Sequence, residues 1–258
     1  MGSTGRSHDG RAGMIGRRAV GHVNGVREVH VRTKRLQMQV LEAGREEGPV
    51  LVFLHGNASS STVWEPWMLR FAGEFRLAAP DLRGYGSTDS TAVIDAAKGG
   101  RDWAEDVLSL LDALDVRRAV VVGHSLGGWV GWNLLAHAPE RVQAAVLIAP
   151  GPPCGMGGAH GDEGRLTWPN GAGSGAGLVH PELVRQLRAG ERGEGDGVYA
   201  PRVLMRRLFW EEGFRHDREE ELLSAFLLMH LGERRYPGDF SICEEWPGVA
   251  PGRWGPMN

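Results

Sequence analysis

Four short, almost entirely apolar runs set the strongest constraint on how this chain can fold. Runs of this length are typical of strands buried on both faces of a parallel sheet. Helical patterns separate them at 102–114 and 126–137, and the first places its apolar residues on one face. The sequence therefore predicts an α/β fold, a mostly parallel central sheet flanked by helices, with a hairpin at 26–40 ahead of it. The four runs lie at 49–54, 75–79, 119–122 and 144–148.

The chain changes character along its length, which predicts three parts. Residues 1–24 are rich in Gly, Arg and Ser and show no period, so we predict a disordered tail. Residues 25–150 hold the predicted α/β core. Residues 151–258 begin with a stretch dense in Gly and Pro and continue with helical patterns, which predicts a helical cap inserted after the core. The helical patterns cover 181–189, 201–212 and 217–231, and no clear strand is evident from 232 onward.

Composition argues against several classes of function. The formal net charge of −3 offers no basic excess for nucleic acid, and no apolar stretch reaches the roughly 18 residues of a membrane span. Histidine spacing predicts no metal site, and no dinucleotide-binding glycine motif is present, so we expect no cofactor. Two cysteines cannot form the disulfide framework of a small secreted protein, which favours a cytoplasmic location. The oligomeric state stays open.

The segment 120–128 carries the clearest chemical signal. It reads Val-Val-Val-Gly-His-Ser-Leu-Gly-Gly, a G-x-S-x-G pattern between a predicted strand and a predicted helix. A serine on so sharp a turn, here Ser125, projects its hydroxyl from the end of the sheet. Gly123 and Gly127 remove side chains that would clash with the neighbouring turn and strand. The alternative is a non-catalytic one, a Gly-rich turn in which the serine caps the helix.

Three motifs in this order resemble the α/β-hydrolase superfamily, in its branch of serine hydrolases with a helical cap. The sequence His55-Gly56-Asn57 follows the strand at 49–54 and is similar to the family's oxyanion loop. Residues 81–89, Asp-Leu-Arg-Gly-Tyr-Gly-Ser-Thr-Asp, follow the next strand and resemble the family's D-x-R-G-x-G-x-S-D turn. The G-x-S-x-G segment is the third motif. The resemblance covers about residues 26–150.

The resemblance implies a role for each matching residue. Ser125 Oγ would attack an acyl carbonyl, and the backbone N–H groups of Leu126 and Asn57 would form the oxyanion hole. Asp81 and Arg83 would brace their turn rather than touch substrate. His124 would be a neighbour whose side chain points away from Oγ. The supporting positions of these motifs are His55, Gly56, Gly123, His124 and Gly127.

The family's catalytic acid and histidine have no evident counterpart. No apolar strand followed by an acidic turn occurs after residue 178, and the last histidine, His230, falls inside a helical pattern. One explanation is that the chain lacks the C-terminal part of the sheet, which would leave the strand at 144–148 as an exposed apolar edge. The other is a replacement pair from the cap. Its candidates are His160 with Asp162 or Glu163, and His180 with Glu182. The sequence favours the first explanation.

These observations lead to one functional expectation and one alternative. We expect a serine-dependent hydrolase of a carboxylic ester, lactone or related acyl bond, acting on a small, apolar acyl substrate through an acyl-enzyme at Ser125. Ser125 lies at the strand-to-helix turn that the family calls the nucleophile elbow. The family's dehalogenases and epoxide hydrolases have aspartate there, which argues against those two activities. A C–C hydrolase or a perhydrolase stays open. The alternative is a truncated or inactive protein of this fold that acts as a binding module or is a remnant.

Overall fold

A computed structural model describes most of the chain. No helix in it has both the length and the apolar character that a membrane span requires. The described ranges are 22–95, 98–153, 159–163, 165–166, 180–193, 197–232, 236–237, 240–243 and 248–251.

A six-stranded sheet forms the centre of the molecule, with strand order β1-β2-β4-β3-β5-β6. The β1–β2 and β2–β4 pairs are antiparallel, and the β4–β3, β3–β5 and β5–β6 pairs are parallel. The predicted hairpin and all four predicted strands are therefore present. The strands are β1 Arg27–Arg32, β2 Gln37–Gly44, β3 Val50–Leu54, β4 Arg76–Pro80, β5 Ala119–His124 and β6 Val142–Ile148.

Alternation along the strands divides the core into two layers. In β3, Val52 and Leu54 face the layer that contains α2 (Gly100–Ala113) and α3 (Leu126–His137). Leu51 and Phe53 face the opposite layer, which contains α1 (Glu65–Phe71). Helices thus cover both faces, as a buried parallel sheet requires. The sequence analysis does not predict α1, because its seven residues, which begin with Glu-Pro-Trp, are too few to show a helical period.

Three helices follow β6 in the described residues, and two of them are shorter than predicted. Helix α4 (Pro181–Ala189) matches its prediction, whereas α5 (Pro201–Phe209) and α6 (Glu219–Leu227) end three and four residues early, against 212 and 231. His230 therefore lies beyond α6 and not within a helix. Its backbone N–H donates to the Gly84 carbonyl oxygen, and its Nε2 lies 3.1 Å from the Gly86 carbonyl oxygen. These contacts draw the chain away from the helical path.

Short strands also occur where the sequence showed none. The prediction of no clear strand from 232 onward is wrong, because two antiparallel strands pair there. Strands of two to four residues are too short to show a period, which explains the omission. They are β7 Ala159–His160, β8 Arg165–Leu166, β9 Leu231–Gly232, β10 Tyr236–Pro237, β11 Phe240–Cys243 and β12 Gly248–Pro251.

The end of the predicted tail is held in place by a buried carboxylate. Both His22 ring nitrogens meet carboxylates, Nδ1 at 2.6 Å from Glu65 and Nε2 at 2.9 Å from Glu28. Val23 N–H donates to Glu65, and the Arg218 guanidinium lies 2.9 Å from the same carboxylate. Residues 22–24 are therefore part of the fold, which corrects the prediction of a tail to residue 24. Residues 1–21 lie outside the described residues.

This arrangement predicts a pH-dependent contribution to stability. The hydrogen bond to Glu65 raises the pKa of His22 above its ordinary value, against the opposing effect of burial. A histidine whose pKa is raised in the folded state stabilises the fold. This stabilisation is fully present below the unfolded pKa of about 6.5 and is lost as the pH rises through the folded pKa. We expect His22→Gln to destabilise the protein most at acidic pH, with a difference from wild type that shrinks above neutrality. Urea unfolding between pH 5.5 and 9 measures it.

His30→Gln is the matched control, because His30 is exposed on β1 and no described carboxylate bonds to it. It should leave the pH profile of unfolding unchanged. A difference between wild type and His22→Gln that is constant across pH would contradict the linkage to His22.

One face of the edge strand β6 is exposed. Val146 and Ile148 are 51% and 44% accessible and line a cavity of about 580 Å³ on the α1 side of the sheet. Trp67 and Phe71 of α1 form its other side, and both are also exposed. Contiguous apolar surface of this kind promotes association, and an unpaired strand edge adds to it.

We therefore predict that Val146→Lys reduces self-association without unfolding the protein. The half-exposed site lets the lysine stem lie along the apolar face while its ammonium reaches water. Val198→Lys is the control, because Val198 is equally exposed, at 53%, but lies in the cap and does not line this cavity. Concentration-dependent light scattering should fall for Val146→Lys alone. An equal fall in both variants would mean that added charge, not the apolar edge, is responsible.

Candidate active site

Ser125 occupies a strained turn between β5 and α3. Its backbone has φ 53° and ψ −111°, a conformation that L-residues rarely adopt. Its N–H donates to the Ile148 carbonyl oxygen at 3.0 Å. Its own carbonyl oxygen accepts from Trp129 N–H and Gly151 N–H, both at 3.0 Å. Three backbone hydrogen bonds thus hold the turn, and the residue is only partly buried.

Two glycines make this turn possible through absent side chains. A Cβ atom at Gly123 would lie 2.4 Å from the Gly127 carbonyl oxygen. A Cβ atom at Gly127 would lie 2.1 Å from the Leu54 carbonyl oxygen. Both distances are impossible for a real side chain, so the start of α3 can pack against the ends of β5 and β3 only because these two positions are glycine.

The loop after β3 lies directly beside the elbow. A Cβ atom at Gly56 would be 3.2 Å from Ser125 Cβ and 2.9 Å from His124 Nδ1. The predicted oxyanion loop and the serine are therefore brought together. Leu126 is the first residue of α3, where backbone N–H groups have no partner within the helix and the helix dipole favours negative charge.

His55 ties this loop to the end of β4. Its Nε2 accepts a hydrogen bond from Leu82 N–H at 3.0 Å, so Nε2 carries no proton. The proton then sits on Nδ1, which lies 2.8 Å from the Gly56 carbonyl oxygen and donates to it. Burial lowers the pKa of His55, although the nearby Asp81 carboxylate works in the opposite direction. The neutral His55 ring therefore holds the loop in place through these two hydrogen bonds.

Asp81 and Arg83 also serve the structure of the turn that contains them. Asp81 accepts hydrogen bonds from Ser61 N–H at 2.8 Å and Ser87 N–H at 2.9 Å. Arg83 forms a bidentate pair with the buried Asp106, at 2.7 and 2.6 Å. The charged groups of Asp81 and Arg83 are therefore engaged within the protein, which supports the predicted bracing role.

His124 lies on the other side of the sheet from α3. Its side chain lines the α1-side cavity together with Val120 and Val122, as alternation along β5 requires. Burial lowers its pKa. No hydrogen bond joins its ring to Ser125 in the described structure, which supports the prediction that it points away from Oγ.

The alternative histidines from the cap are not assembled into a catalytic pair. His160, Asp162 and Glu163 are all exposed. His180 Nδ1 accepts from Glu182 N–H at the start of α4, and its ring stacks on Tyr199 with centroids 3.6 Å apart. Across the described ranges, no histidine ring bonds to Ser125 and no cluster of three potential metal ligands occurs.

Sequence reasoning missed one residue that touches the loop. The Tyr85 hydroxyl donates to Asn57 Oδ1 at 2.9 Å, which joins the D-x-R-G-x-G turn to the oxyanion loop. Tyr85 lies inside the motif at 81–89, so its position was visible, but the motif pattern leaves that position unspecified. Only the fold shows that the two motifs meet there.

The comparisons with known proteins agree on one family. A family model described as "alpha/beta hydrolase fold" matches residues 49–172. The chain is 27% identical over 230 residues to "Uncharacterized carboxylesterase nap" of Bacillus subtilis (strain 168), covering 79% of this chain and 69% of that protein. It is 31% identical over 173 residues to carboxylesterase YbfK of the same organism, covering 62% and 57%.

A solved structure and a relative with another activity complete the comparison. The naproxen esterase of Bacillus subtilis superposes with a TM-score of 0.56 at 20% identity, covering 83% of this chain and 65% of that one, which shows the shared fold. An epoxide hydrolase of Caballeronia sordidicola is 37% identical over 122 residues, 46% of this chain and 36% of that protein. The alignments thus span between about one third and two thirds of these relatives' lengths.

The elbow geometry generates a prediction about Gly127. We expect Gly127→Ala to destabilise the protein by at least about 1–3 kcal/mol, the usual cost of overpacking, because its methyl group would overlap the Leu54 carbonyl oxygen. Gly73→Ala is the control, because a Cβ atom there would meet nothing within 4 Å. Urea unfolding of both variants measures the difference. Equal stabilities would show that β3 and α3 can separate at no cost.

Proposed function

Because the chain belongs to the α/β-hydrolase superfamily, we propose that it is a serine hydrolase of a carboxylic ester, lactone or related acyl bond. One observation carries the proposal. Ser125 stands at a strained strand-to-helix turn, at van der Waals distance from the Gly56 loop and at the start of α3. A hydroxyl so placed would have the predicted backbone N–H donors of Leu126 and Asn57 on two sides, which is the arrangement that acyl transfer needs.

The proposed reaction has two steps. Ser125 Oγ attacks the acyl carbon and loses its proton, the alcohol leaving group departs with a proton, and an acyl-enzyme ester remains. Water then attacks that ester, which releases the carboxylic acid and restores the hydroxyl. The N–H groups of Leu126 and Asn57 would hold the negative oxygen in both steps. Each such donor is worth about 2.7–4 kcal/mol in a comparable enzyme.

The first step also needs a base for the Oγ proton. No described histidine ring hydrogen-bonds to Ser125, so the proposal requires a base from outside the described residues. Without one, an oxyanion hole and substrate binding alone give about 10³–10⁴ over water.

The substrate is proposed as a small molecule with an apolar acyl group, and the reaction as cofactor-free. Two relatives named as carboxylesterases support the ester class. The cap supports apolar character, because Leu183, Leu187 and Phe226 join the same hydrophobic cluster as the α3 side of the sheet. The division into a core at 25–150 and a cap at 151–258, and the cytoplasmic location, belong to the same proposal.

A second candidate function has its own support. The lack of a described histidine partner for Ser125 favours a non-catalytic protein on this scaffold, a binding module or a remnant. An epoxide hydrolase is also among the relatives, but the family's epoxide hydrolases use an aspartate where this chain has Ser125. We therefore favour the ester over the epoxide.

Covalent labelling tests the proposal directly. We expect a fluorophosphonate probe to add its mass to the peptide that contains Ser125, because the probe phosphonylates a serine whose oxyanion site accepts the P–O oxygen. Ser125→Ala should take up no label. Ser90→Ala, at an exposed serine, should label like wild type. Intact-protein and peptide mass spectrometry give the readout. Folded protein, by circular dichroism, that resists the probe would support the binding-module alternative.

A further inference from the structure

The Asn57 side chain is held by its oxygen alone. Asn57 Oδ1 accepts two hydrogen bonds, from Ala58 N–H at 2.9 Å and from the Tyr85 hydroxyl at 2.9 Å. The side-chain NH₂ group makes no hydrogen bond in the described part of the chain. Ala58 N–H can only donate, so it fixes which end of the amide is oxygen, and the Tyr85 hydroxyl donates to that same oxygen. Asn57 is only partly buried, so its NH₂ group is open to a ligand.

The position of this amide links it to the reacting serine. Asn57 follows Gly56, whose backbone is packed against Ser125 Cβ. An amide NH₂ group donates and cannot accept, so its partner must be an oxygen or another acceptor. The acyl group of a substrate bound at Ser125 supplies such oxygens at this end of the sheet.

Tyr85 is built to stay in place. It is 1% accessible and packs edge-on against the His55 ring, with centroids 5.1 Å apart. Glycines flank it on both sides with φ of 90° and 55°, and a Cβ atom at Gly86 would lie 1.7 Å from Asp81 Oδ2. The backbone around Tyr85 is therefore set by the braced turn, and its hydroxyl has little freedom to leave Asn57.

We propose that the Asn57 side-chain amide donates a hydrogen bond to an acyl oxygen of the bound substrate, and that Tyr85 is the positioning residue that fixes the amide orientation. This inference rests on the proposed acyl chemistry at Ser125. It adds a side-chain donor to the two backbone donors. It also predicts a preference for acyl groups whose oxygen can reach the loop.

A double-mutant cycle tests the pair. We expect Asn57→Ala, which keeps the backbone N–H, to slow fluorophosphonate labelling of Ser125 by about 10²-fold, the effect of losing one oxyanion donor. Tyr85→Phe removes only the hydroxyl and should slow labelling by about five- to tenfold, the value of one hydrogen bond. The double variant should label like Asn57→Ala, because Tyr85 acts through Asn57. Tyr199→Phe, in the cap, should label like wild type.

Stability measurements separate this role from a merely structural one. A structural effect of Tyr85→Phe on Tm should persist in the Asn57→Ala background, whereas the labelling effect should vanish there. Multiplied losses in the double variant, or wild-type labelling of Tyr85→Phe, would overturn the positioning role.

A binding measurement that does not depend on turnover completes the test. In Ser125→Ala protein, butyrate serves as a probe with carboxylate oxygens. We expect it to shift the Asn57 side-chain NH₂ signal in ¹⁵N NMR, an assignment confirmed by loss of that signal in Asn57→Ala. Absence of a shift would overturn the inference. If wild type resists the fluorophosphonate while the butyrate shift occurs, the proposed hydrolysis fails and the amide contact stands.

Discussion

The close approach of α3 to the end of β3 organises the candidate site. Where Gly127 meets the Leu54 carbonyl oxygen, a Cβ atom would be only 2.1 Å away. This contact allows α3 to start immediately after β5, so the residue between β5 and α3 has to take a positive φ. Ser125 is that residue, so its backbone strain follows from the packing of α3 against β3. Three backbone hydrogen bonds offset this strain. The same contact places the Gly56 loop beside the hydroxyl.

A second layer of buried polar groups holds the turn that faces this contact. Arg83 and Arg35 both pair with Asp106, and Asp81 accepts hydrogen bonds from two separate segments. Buried ion pairs add little net stability because desolvation offsets attraction, but each fixes an orientation. The turn at 81–89 is thereby held in place and can present Tyr85 to Asn57. Burying this network costs free energy, so its contribution is to fix the position of the turn rather than to stabilise the fold.

The sequence predicted the parts of this site that depend on local pattern. Gly123, Ser125 and Gly127 were found because backbone sterics leave glycine few substitutes at such a turn, and the predicted α3 at 126–137 matches the observed helix. The sequence could not show that Tyr85 meets Asn57, which lies 28 positions away, because that contact depends on the order of strands in the sheet. His230 was misplaced for a related reason. The sequence around His230 does show helical spacing, but the tertiary hydrogen bonds of His230 to Gly84 and Gly86 override this local preference.

The two faces of the sheet contribute unequally to the site. Leu126, Trp129 and Val130 of α3 join the continuous core on the α2–α3 side, so the helix that follows Ser125 is firmly anchored. The Ser125 N–H, however, is bonded to Ile148 in β6, an edge strand whose outer side chains are exposed. Edge strands with few buried contacts open locally at low free energy. Opening of β6 would release one of the three bonds that hold the strained turn. The geometry of the Ser125 turn therefore depends on how well the α1-side face of β6 is covered.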